Sequence, residues 1–194
     1  MRDYVTVVTG MPRSGTSLMM HMLDAGGIPA LTDGRRPPDE HNPGGYFEYD
    51  PVKRLAEDSS WLEAARGRTV KVVYRLLPYL PPQIDYRVVF MERDLREVFE
   101  SQRDMLRARG DPAAEQPGDR LLPALAEELR TAREWLARQP GILALTAPYR
   151  EVVREPAAWS HKVSDFLGGG LNEAAMAAVV DPCLYHRRKP AQSK

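Results

Sequence analysis

The stretch YVTVVTGMPRSGTSLMMHMLDAGG, residues 4–27, decides the fold because it joins a strand pattern to a helix pattern through a loop with glycine at both ends. Residues 4–9 are rich in β-branched apolar side chains and stop at Gly10, which predicts a short buried strand. Residues 15–25 carry apolar side chains three and four positions apart, which predicts an amphipathic helix. This order of strand, loop and helix is typical of the start of a βαβ unit.

The same alternation continues along the chain and indicates an α/β fold. Three further apolar runs predict strands, and the segments between them carry helical patterns. Such an alternation predicts a mainly parallel sheet with helices on both faces, and ligands of these sheets bind beyond the carboxyl ends of the strands. The predicted strands are residues 69–74, 86–92 and 141–146, and the predicted helices are residues 51–65, 94–109 and 120–138, followed by two short helices around the glycines at 168–170.

Length and composition predict one globular domain, residues 1–194. Lys and Arg total 27, and Asp and Glu total 27, so the net charge gives no reason to expect a nucleic acid or an anionic membrane as a partner. Two segments, at about residues 29–50 and 111–119, are rich in proline and glycine and are expected to be mobile loops. Residues 186–194 form a basic tail.

The expected compartment is the cytoplasm. Cys183 is the single cysteine, so no intrachain disulfide can form and a reducing compartment is the simpler expectation. No apolar run approaches the roughly 20 residues that span a bilayer. The N-terminus enters a strand directly and lacks the apolar stretch and cleavage site of a signal peptide. A homodimer is left open.

The loop between the first strand and helix predicts an oxyanion site. Phosphate-binding loops read G-x-x-x-x-G-K-[ST], and their backbone N–H groups surround phosphate oxygens at a helix N-terminus. Gly10 and Gly15 have this spacing, but Thr16 stands at the lysine position and Ser17 at the Ser/Thr position. Arg13, inside the loop, offers a guanidinium group suited to bidentate oxyanion contacts in place of the missing lysine.

A second motif follows the strand at 86–92. In the stretch VVFMERDLREVFESQRD, Arg93 comes directly after the strand, and Ser101 lies eight residues later on the next helix. An arginine at a strand end and a serine hydroxyl can converge on one phosphate group. Taken alone, Arg93 is more often a surface ion-pair partner, here of Asp94 or Glu97.

The two motifs together resemble those of sulfotransferases that use 3′-phosphoadenosine 5′-phosphosulfate (PAPS). PRSGTS, residues 12–17, matches the 5′-phosphosulfate loop P-[KR]-S-G-T-[TS] of that family, and its arginine form is similar to the tyrosylprotein sulfotransferases and many bacterial members. The resemblance runs from Thr6 to about Tyr185. It implies a P-loop-type three-layer sandwich, with a mainly parallel central sheet flanked by helices, that binds PAPS and releases 3′-phosphoadenosine 5′-phosphate (PAP).

The resemblance also implies roles for individual residues. Arg13 and the loop would hold the 5′-phosphosulfate and steady the leaving group, with hydrogen bonds from Thr16 and Ser17. Arg93 and Ser101 would bind the 3′-phosphate, which ATP lacks. No metal ion is expected to be required. The expected nucleotide-binding residues are Arg13, Ser14, Gly15, Thr16, Ser17, Arg93 and Ser101.

The general base is where the chain departs from many cytosolic relatives. Their base is a histidine in a KTHLP stretch, whereas KVVYRLLPYLP here keeps the lysine, Lys71, without the histidine. Tyrosylprotein sulfotransferases use a glutamate reached from the region after the loop helix, and bacterial members often carry NP-x-GYFE there. PPDEHNPGGYFEYD, residues 37–50, is the matching region. Glu48 is therefore the first candidate base and His41 the second, with Asp39 and Glu40 behind them.

Several assignments stay open at this point. Glu48 is also compatible with a solvated carboxylate, with a partner of Lys53 or Arg54, or with a residue that orients Arg13. The basic tail offers Arg187 and Arg188 as further 3′-phosphate contacts, but the family's G-x-x-G-x-W-K pattern is absent.

Two other functions compete with sulfuryl transfer. A P-loop kinase or nucleoside triphosphatase would need a loop lysine and a metal-binding carboxylate, and neither is evident. A catalytically inactive nucleotide-binding protein of the same fold is the third hypothesis. The expected acceptor carries a hydroxyl or amine group.

Overall fold

The computed structural model describes residues 2–35, 44–108, 110–115 and 119–181. Its strands and α-helices alternate along most of the chain, joined by short 3₁₀ helices. The strands are β1 (Val5–Gly10), β2 (Thr69–Lys71), β3 (Tyr86–Glu92) and β4 (Ile142–Pro148). The α-helices are α1 (Thr16–Ala25), α2 (Leu95–Ala108), α3 (Leu122–Arg138), α4 (Tyr149–Arg154), α5 (Pro156–Phe166) and α6 (Glu173–Ala178). The 3₁₀ helices are Asp50–Arg54, Ser60–Ala65, Tyr74–Tyr79, Pro112–Glu115 and Asp119–Leu121.

The four strands form one parallel sheet in the order β2-β1-β3-β4. Val7 of β1 is aligned with Val70 of β2 on one side and with Val88 of β3 on the other. Because all strands run the same way, their carboxyl ends lie at one edge of the sheet. That edge receives the loop after β1, Arg93 after β3, and Tyr149 after β4.

Apolar clusters cover both faces of this sheet. Since successive side chains of a strand point to opposite faces, Val7 and Val8 of β1 belong to different clusters. The first cluster packs the sheet against the 3₁₀ helices and α3, and it includes Leu77 and Leu136. The second cluster packs it against α1, α4, α5 and α6. This second cluster is rich in methionine and contains Met19, Met20, Met22, Met91 and Met176.

The α/β architecture is confirmed and each of the four predicted strands is present, with β3 at the predicted bounds, residues 86–92. The single helix predicted over residues 51–65 is wrong, because the structure has two 3₁₀ helices there. Between them the Asp58 carboxylate accepts a hydrogen bond of 2.9 Å from the Ser60 backbone N–H. Such local bonds compete with continuous helix.

Two other elements differ from the sequence prediction. The second strand ends at Lys71 rather than at residue 74, because a 3₁₀ helix begins at Tyr74. The helix α4 follows β4 directly, and the sequence analysis did not predict it. The 111–119 segment includes the 3₁₀ helix Pro112–Glu115.

Among the helices of the described residues, none combines the length and hydropathy needed to cross a membrane.

Candidate functional site

The loop between β1 and α1 is shaped by backbone conformations that favour glycine. Gly10 has a φ of 145°, and a Cβ atom there would lie 2.6 Å from the Met91 carbonyl oxygen. Gly15 has a φ of 98°, and a Cβ atom there would lie 2.4 Å from Cδ2 of Tyr149. Glycine is therefore required at both positions, because the φ angle is positive and because a Cβ atom would clash with a neighbour. The loop can pass close to β3 and α4 only because these two positions lack side chains.

The loop backbone is arranged to receive an anion. Arg13 has a φ of 72° and Gly15 a φ of 98°, whereas Ser14 between them does not have a positive φ. This alternation turns successive N–H groups toward one side, in the manner of an anion-binding nest. The loop leads into α1, whose N-terminus has no side-chain cap and favours negative charge. Ser14 Oγ is buried and has no hydrogen-bond partner within the described part of the chain.

The two sequence motifs meet at this loop. Arg13 Nε donates a hydrogen bond of 3.1 Å to Ser101 Oγ on α2. Arg93 Nη1 donates a hydrogen bond of 3.1 Å to the Arg13 carbonyl oxygen. The structure thus brings Arg13, Arg93 and Ser101 together, although 88 positions separate Arg13 from Ser101 in sequence. This group of two arginines and a hydroxyl lies at the carboxyl edge of the sheet and is called the crevice.

Arg93 is held on two sides. Its Nε lies 3.2 Å from Glu97 Oε2, and the two side chains are only 9% and 5% exposed. Its guanidinium carbon lies 4.5 Å from the centre of the Tyr149 ring. The ion pair with Glu97 that the sequence allowed is present, but it is buried rather than on the surface. A buried ion pair and an aromatic stack fix the guanidinium group in one orientation.

Arg150 completes this buried cluster. Its Nε donates a hydrogen bond of 2.9 Å to Glu97 Oε1, and its Nη2 bonds the same oxygen. The Glu97 carboxylate therefore receives Arg93 on one oxygen and Arg150 on the other. The Arg150 side chain remains 51% exposed. Among Arg13, Arg93, Arg150 and Glu97, three side chains are positively charged and one is negatively charged.

Lys71 brings an ammonium group to the start of α1. It is the last residue of β2, and its Nζ donates a hydrogen bond of 3.0 Å to Ser17 Oγ. The same Nζ bonds the Tyr46 carbonyl oxygen. The segment after residue 44 also contacts α1, because the Phe47 ring lies 5.9 Å from the His21 ring. A lysine from a neighbouring strand thus stands beside the loop, whose own lysine position holds Thr16.

Glu48 lies in a different charged group. Its side chain lines a pocket of about 220 Å³, and its carbonyl oxygen accepts a hydrogen bond of 3.1 Å from the Asp33 backbone N–H. In that pocket the hydrogen bond from Lys53 Nζ to Asp50 Oδ1 raises the pKa of Lys53, and the charge of Glu48 adds to this effect. The residues that line the pocket are Asp33, Arg35, Glu48, Asp50 and Lys53.

Other predicted candidates fall outside the described residues. His41, the second candidate base, belongs to this group, as do Asp39 and Glu40. The tail residues Arg187 and Arg188 also lie outside the described ranges. Within residues 2–35, 44–108, 110–115 and 119–181, the structure shows no group of three or more His, Cys, Asp or Glu side chains suited to a metal ion.

The sequence analysis missed the contributions of Tyr149 and Arg150, and it named Glu97 only as a surface partner of Arg93. Glu97 had a signal, since it follows Arg93 by four residues and such pairs face each other on a helix. Tyr149 and Arg150 had no such signal in the sequence, because they reach the crevice only through the pairing of β4 with β3. A tertiary contact of this kind is not visible in local sequence patterns.

The arrangement suits an extended ligand with two anionic groups. The loop backbone, the N-terminus of α1 and Lys71 form one position for negative charge. Arg93 and Ser101 form another, and both contact Arg13, Arg93 at its carbonyl oxygen and Ser101 at its Nε. Planar guanidinium groups and helix N-termini are the usual partners of phosphate and sulfate oxygens.

Comparison with solved structures identifies the fold. The mouse sulfotransferase SULT7A1, solved in complex with PAP, aligns with a TM-score of 0.59 and 16% sequence identity over 99% of this chain and 70% of its own. The sulfotransferase domain of the curacin biosynthetic pathway aligns with a TM-score of 0.52 and 16% identity over 93% of this chain and 88% of its own. The sulfotransferase domain of the Synechococcus PCC 7002 olefin synthase aligns with a TM-score of 0.51 and 18% identity over 96% of this chain and 84% of its own.

The chain therefore has the fold of these sulfotransferases, which confirms the predicted P-loop-type sandwich with helices on both sides of a parallel sheet. Sequence comparison finds no matching family model and no matching curated protein.

Proposed function

We propose that this chain is a sulfotransferase that moves a sulfuryl group from PAPS to a hydroxyl or amine acceptor by in-line transfer. The contacts that join Arg13, Arg93 and Ser101 carry this proposal, because they unite the phosphosulfate loop with a second anion position formed by residues that follow β3. The shared fold supports it, and SULT7A1 was solved with PAP. The proposed location is the cytoplasm, supported by the single cysteine.

The residues of the crevice divide the binding of the donor between them. PAPS supplies the activated sulfuryl group. The loop amides, Arg13 and Ser17 bind the 5′-phosphosulfate, and Arg93 and Ser101 bind the 3′-phosphate. Lys71 stands beside Ser17, where its charge stabilises the negative charge that develops on the leaving phosphate and the sulfuryl oxygens.

The acceptor proton needs a base. We propose Glu48 for this role, with His41 as the alternative. The segment that precedes Glu48 is anchored to the site, since the Tyr46 carbonyl bonds Lys71 and Phe47 contacts His21. In this role the Glu48 carboxylate, or the His41 imidazole, takes the proton of the acceptor hydroxyl as its oxygen attacks sulfur.

A nucleoside triphosphate kinase is the second candidate, and Lys71 is the observation that favours it. The ammonium group beside Ser17 could serve in place of the missing loop lysine. However, Arg93 and Ser101 would then have no anionic group to bind, because ATP lacks a 3′-phosphate. The buried and doubly held Arg93 fits a 3′-phosphorylated nucleotide better.

Calorimetric titration tests the choice of nucleotide. We expect PAP to bind more tightly than adenosine 5′-monophosphate (AMP) or ATP–Mg²⁺. We expect Arg93→Ala to weaken PAP binding about 10- to 100-fold, the size of a lost charged hydrogen bond, with little change for AMP. Since Arg93→Ala leaves Glu97 with fewer partners, Ser101→Ala serves as a milder second variant. Preference for ATP–Mg²⁺, or PAP binding that is indifferent to both variants, would refute the proposal.

A transfer assay separates an enzyme from an inactive binding protein. The protein is incubated with PAPS and a panel of phenols, alcohols, carbohydrates and amines, and PAP release and sulfated products are measured by mass spectrometry. We expect acceptor-dependent PAP release that Glu48→Gln reduces. Tight PAP binding without transfer to any acceptor class would favour the inactive nucleotide-binding protein.

A further inference from the structure

Arg150 has a position that the proposed donor site does not yet explain. It follows Tyr149 at the start of α4, directly after the carboxyl end of β4. The crevice with Arg93 lies at the same edge of the sheet, because β3 and β4 are parallel neighbours. Arg150 is therefore delivered to the ligand-binding edge by the fold, independently of the two sequence motifs.

The contacts of Arg150 run to the centre of the site. Its Nε and Nη2 both bond Oε1 of Glu97, whose other oxygen receives Arg93 Nε at 3.2 Å. Tyr149, the preceding residue, stacks on Arg93 and touches the loop at Gly15. The Tyr149–Arg150 pair thus contacts both the phosphate loop and the arginine of the second motif.

The group around Glu97 stays positively charged only because it contains a second arginine. Glu97 is 5% exposed, and a buried carboxylate requires compensation by a cation. With Arg93 as its one partner, Glu97 would cancel the charge that Arg93 offers to a phosphate. Arg150 supplies another positive charge, so the group of Arg93, Glu97 and Arg150 stays cationic while Glu97 holds both guanidinium groups in place.

The exposure of Arg150 differs from that of its partners. Arg93 and Glu97 are almost fully enclosed, whereas the Arg150 side chain is 51% exposed although its Nε is anchored on Glu97. A guanidinium group that is anchored on a buried carboxylate, in a side chain that is half exposed to solvent, is already oriented, so little side-chain entropy is lost when an anion binds.

We propose that Arg150 is a further binding residue of the 3′-phosphate position and a determinant of selectivity for 3′-phosphorylated nucleotides. Glu97 is a positioning residue that orients Arg93 and Arg150 toward the same anionic group. This inference rests on the proposed function, since it assigns a third cation to the nucleotide site of a PAPS-dependent enzyme.

The test measures the ratio of the AMP and PAP dissociation constants by calorimetry. Arg150→Gln removes the charge but keeps N–H donors for Glu97, and Arg150→Ala removes both. We expect both variants to bind PAP about tenfold more weakly, as for a lost charged hydrogen bond, and AMP within about twofold of the unmodified protein. Arg150→Lys keeps the charge and should recover most of the PAP affinity.

Arg154→Ala is the matched control. Arg154 lies on the same helix, but its side chain is 71% exposed and pairs with Glu155 on the surface. We expect no change in the dissociation constant of either nucleotide for this variant. Thermal unfolding of each variant identifies any general loss of structure, which would weaken AMP and PAP alike.

The outcomes separate this inference from the proposed function. If the unmodified protein binds PAP no better than AMP, both fail together. If it prefers PAP and the folded Arg150→Gln and Arg150→Lys variants keep the full preference, the proposed function stands and the role of Arg150 is overturned. A selective loss for PAP in Arg150→Gln, with recovery in Arg150→Lys, supports it.

Discussion

Gly15 shows how a single residue controls the site. Its φ of 98° is costly for any residue with a side chain, and the position of its missing Cβ is occupied by the Tyr149 ring. The ring in turn stacks on Arg93. A change at Gly15 therefore acts on the loop and on the second motif at once, through the aromatic ring between them.

Gly15→Ala should lower the free energy of unfolding and weaken PAP binding. Gly27→Ala is the matched control, because Gly27 has a similar φ of 101° but no atom near its Cβ position. We expect Gly27→Ala to cost about 1 kcal/mol from backbone strain alone. Gly15→Ala should cost about 2 kcal/mol more, because it also adds overpacking.

Chemical denaturation gives both stabilities, and calorimetry gives the affinity for PAP. We expect Gly27→Ala to bind PAP as the unmodified protein does. Equal losses of stability in the two variants would show that Tyr149 moves aside at no cost, and would contradict the close contact at Gly15.

At the scale of elements, β2 matters more for its end than for its length. The strand has three residues, yet its last residue, Lys71, reaches Ser17 at the start of α1. Parallel pairing with β1 sets this position, since Val8 is aligned with Lys71. A strand neighbour can thus supply the cation that a phosphate loop usually carries in its own sequence.

Lys71→Met should weaken PAP and AMP binding by the same factor, about tenfold, because both nucleotides carry the 5′-phosphate that we propose binds beside Lys71. The ratio of the two affinities should then stay constant, in contrast to the effect expected for Arg93→Ala. Lys162→Met is the control, since Lys162 lies on α5 with its Nζ 4.3 Å from the centre of the Trp159 ring. A changed ratio in Lys71→Met would place Lys71 at the 3′-phosphate instead.

The elements also show what a sequence can and cannot predict. β3 could be predicted because a short, mostly apolar run with β-branched residues, bounded by polar residues, is typical of a central strand. The segment 51–65 was mispredicted because Asp58 bonds the local backbone and divides the helix into two 3₁₀ turns.

The candidate site, like the fold, was predicted only in part. Motif spacing predicted that Arg13, Arg93 and Ser101 share one crevice, and the structure brings them together, while their roles stay predictions. Arg150 could not be foreseen, because a separation of 53 positions from Glu97 is bridged by strand pairing and helix packing alone.

For the whole molecule, the question is whether the apolar clusters on the two faces of the sheet act as one unit. They share the strands of the sheet, because neighbouring residues of a strand point to opposite faces. A defect in either cluster should therefore reach the other through the strands. The prediction of one domain over residues 1–194 depends on this coupling.

Leu77→Ala in the first cluster and Leu23→Ala in the second should each lower the unfolding free energy by about 2–5 kcal/mol, since both side chains are fully buried. Trp159 reports on the second cluster, and Trp61 and Trp135 report on the first. Variants that keep tryptophan in only one of the two clusters can be unfolded and followed by fluorescence. We expect the unfolding transitions reported by the two clusters to coincide. Two separate transitions would show two independent units.

The methionines beneath the phosphate loop have a chemical consequence of their own. Five of the chain's eight methionines lie buried in the cluster that supports α1, and a Cβ atom on Gly26 would lie 2.8 Å from the sulfur of Met176. Unbranched thioethers fill such irregular space well, but oxidation converts each one into a polar sulfoxide. The packing under α1 therefore depends on the burial that shields these thioethers from oxidants, and a sulfoxide formed there would remove the support of the anion-binding loop without any reaction at the residues of the crevice.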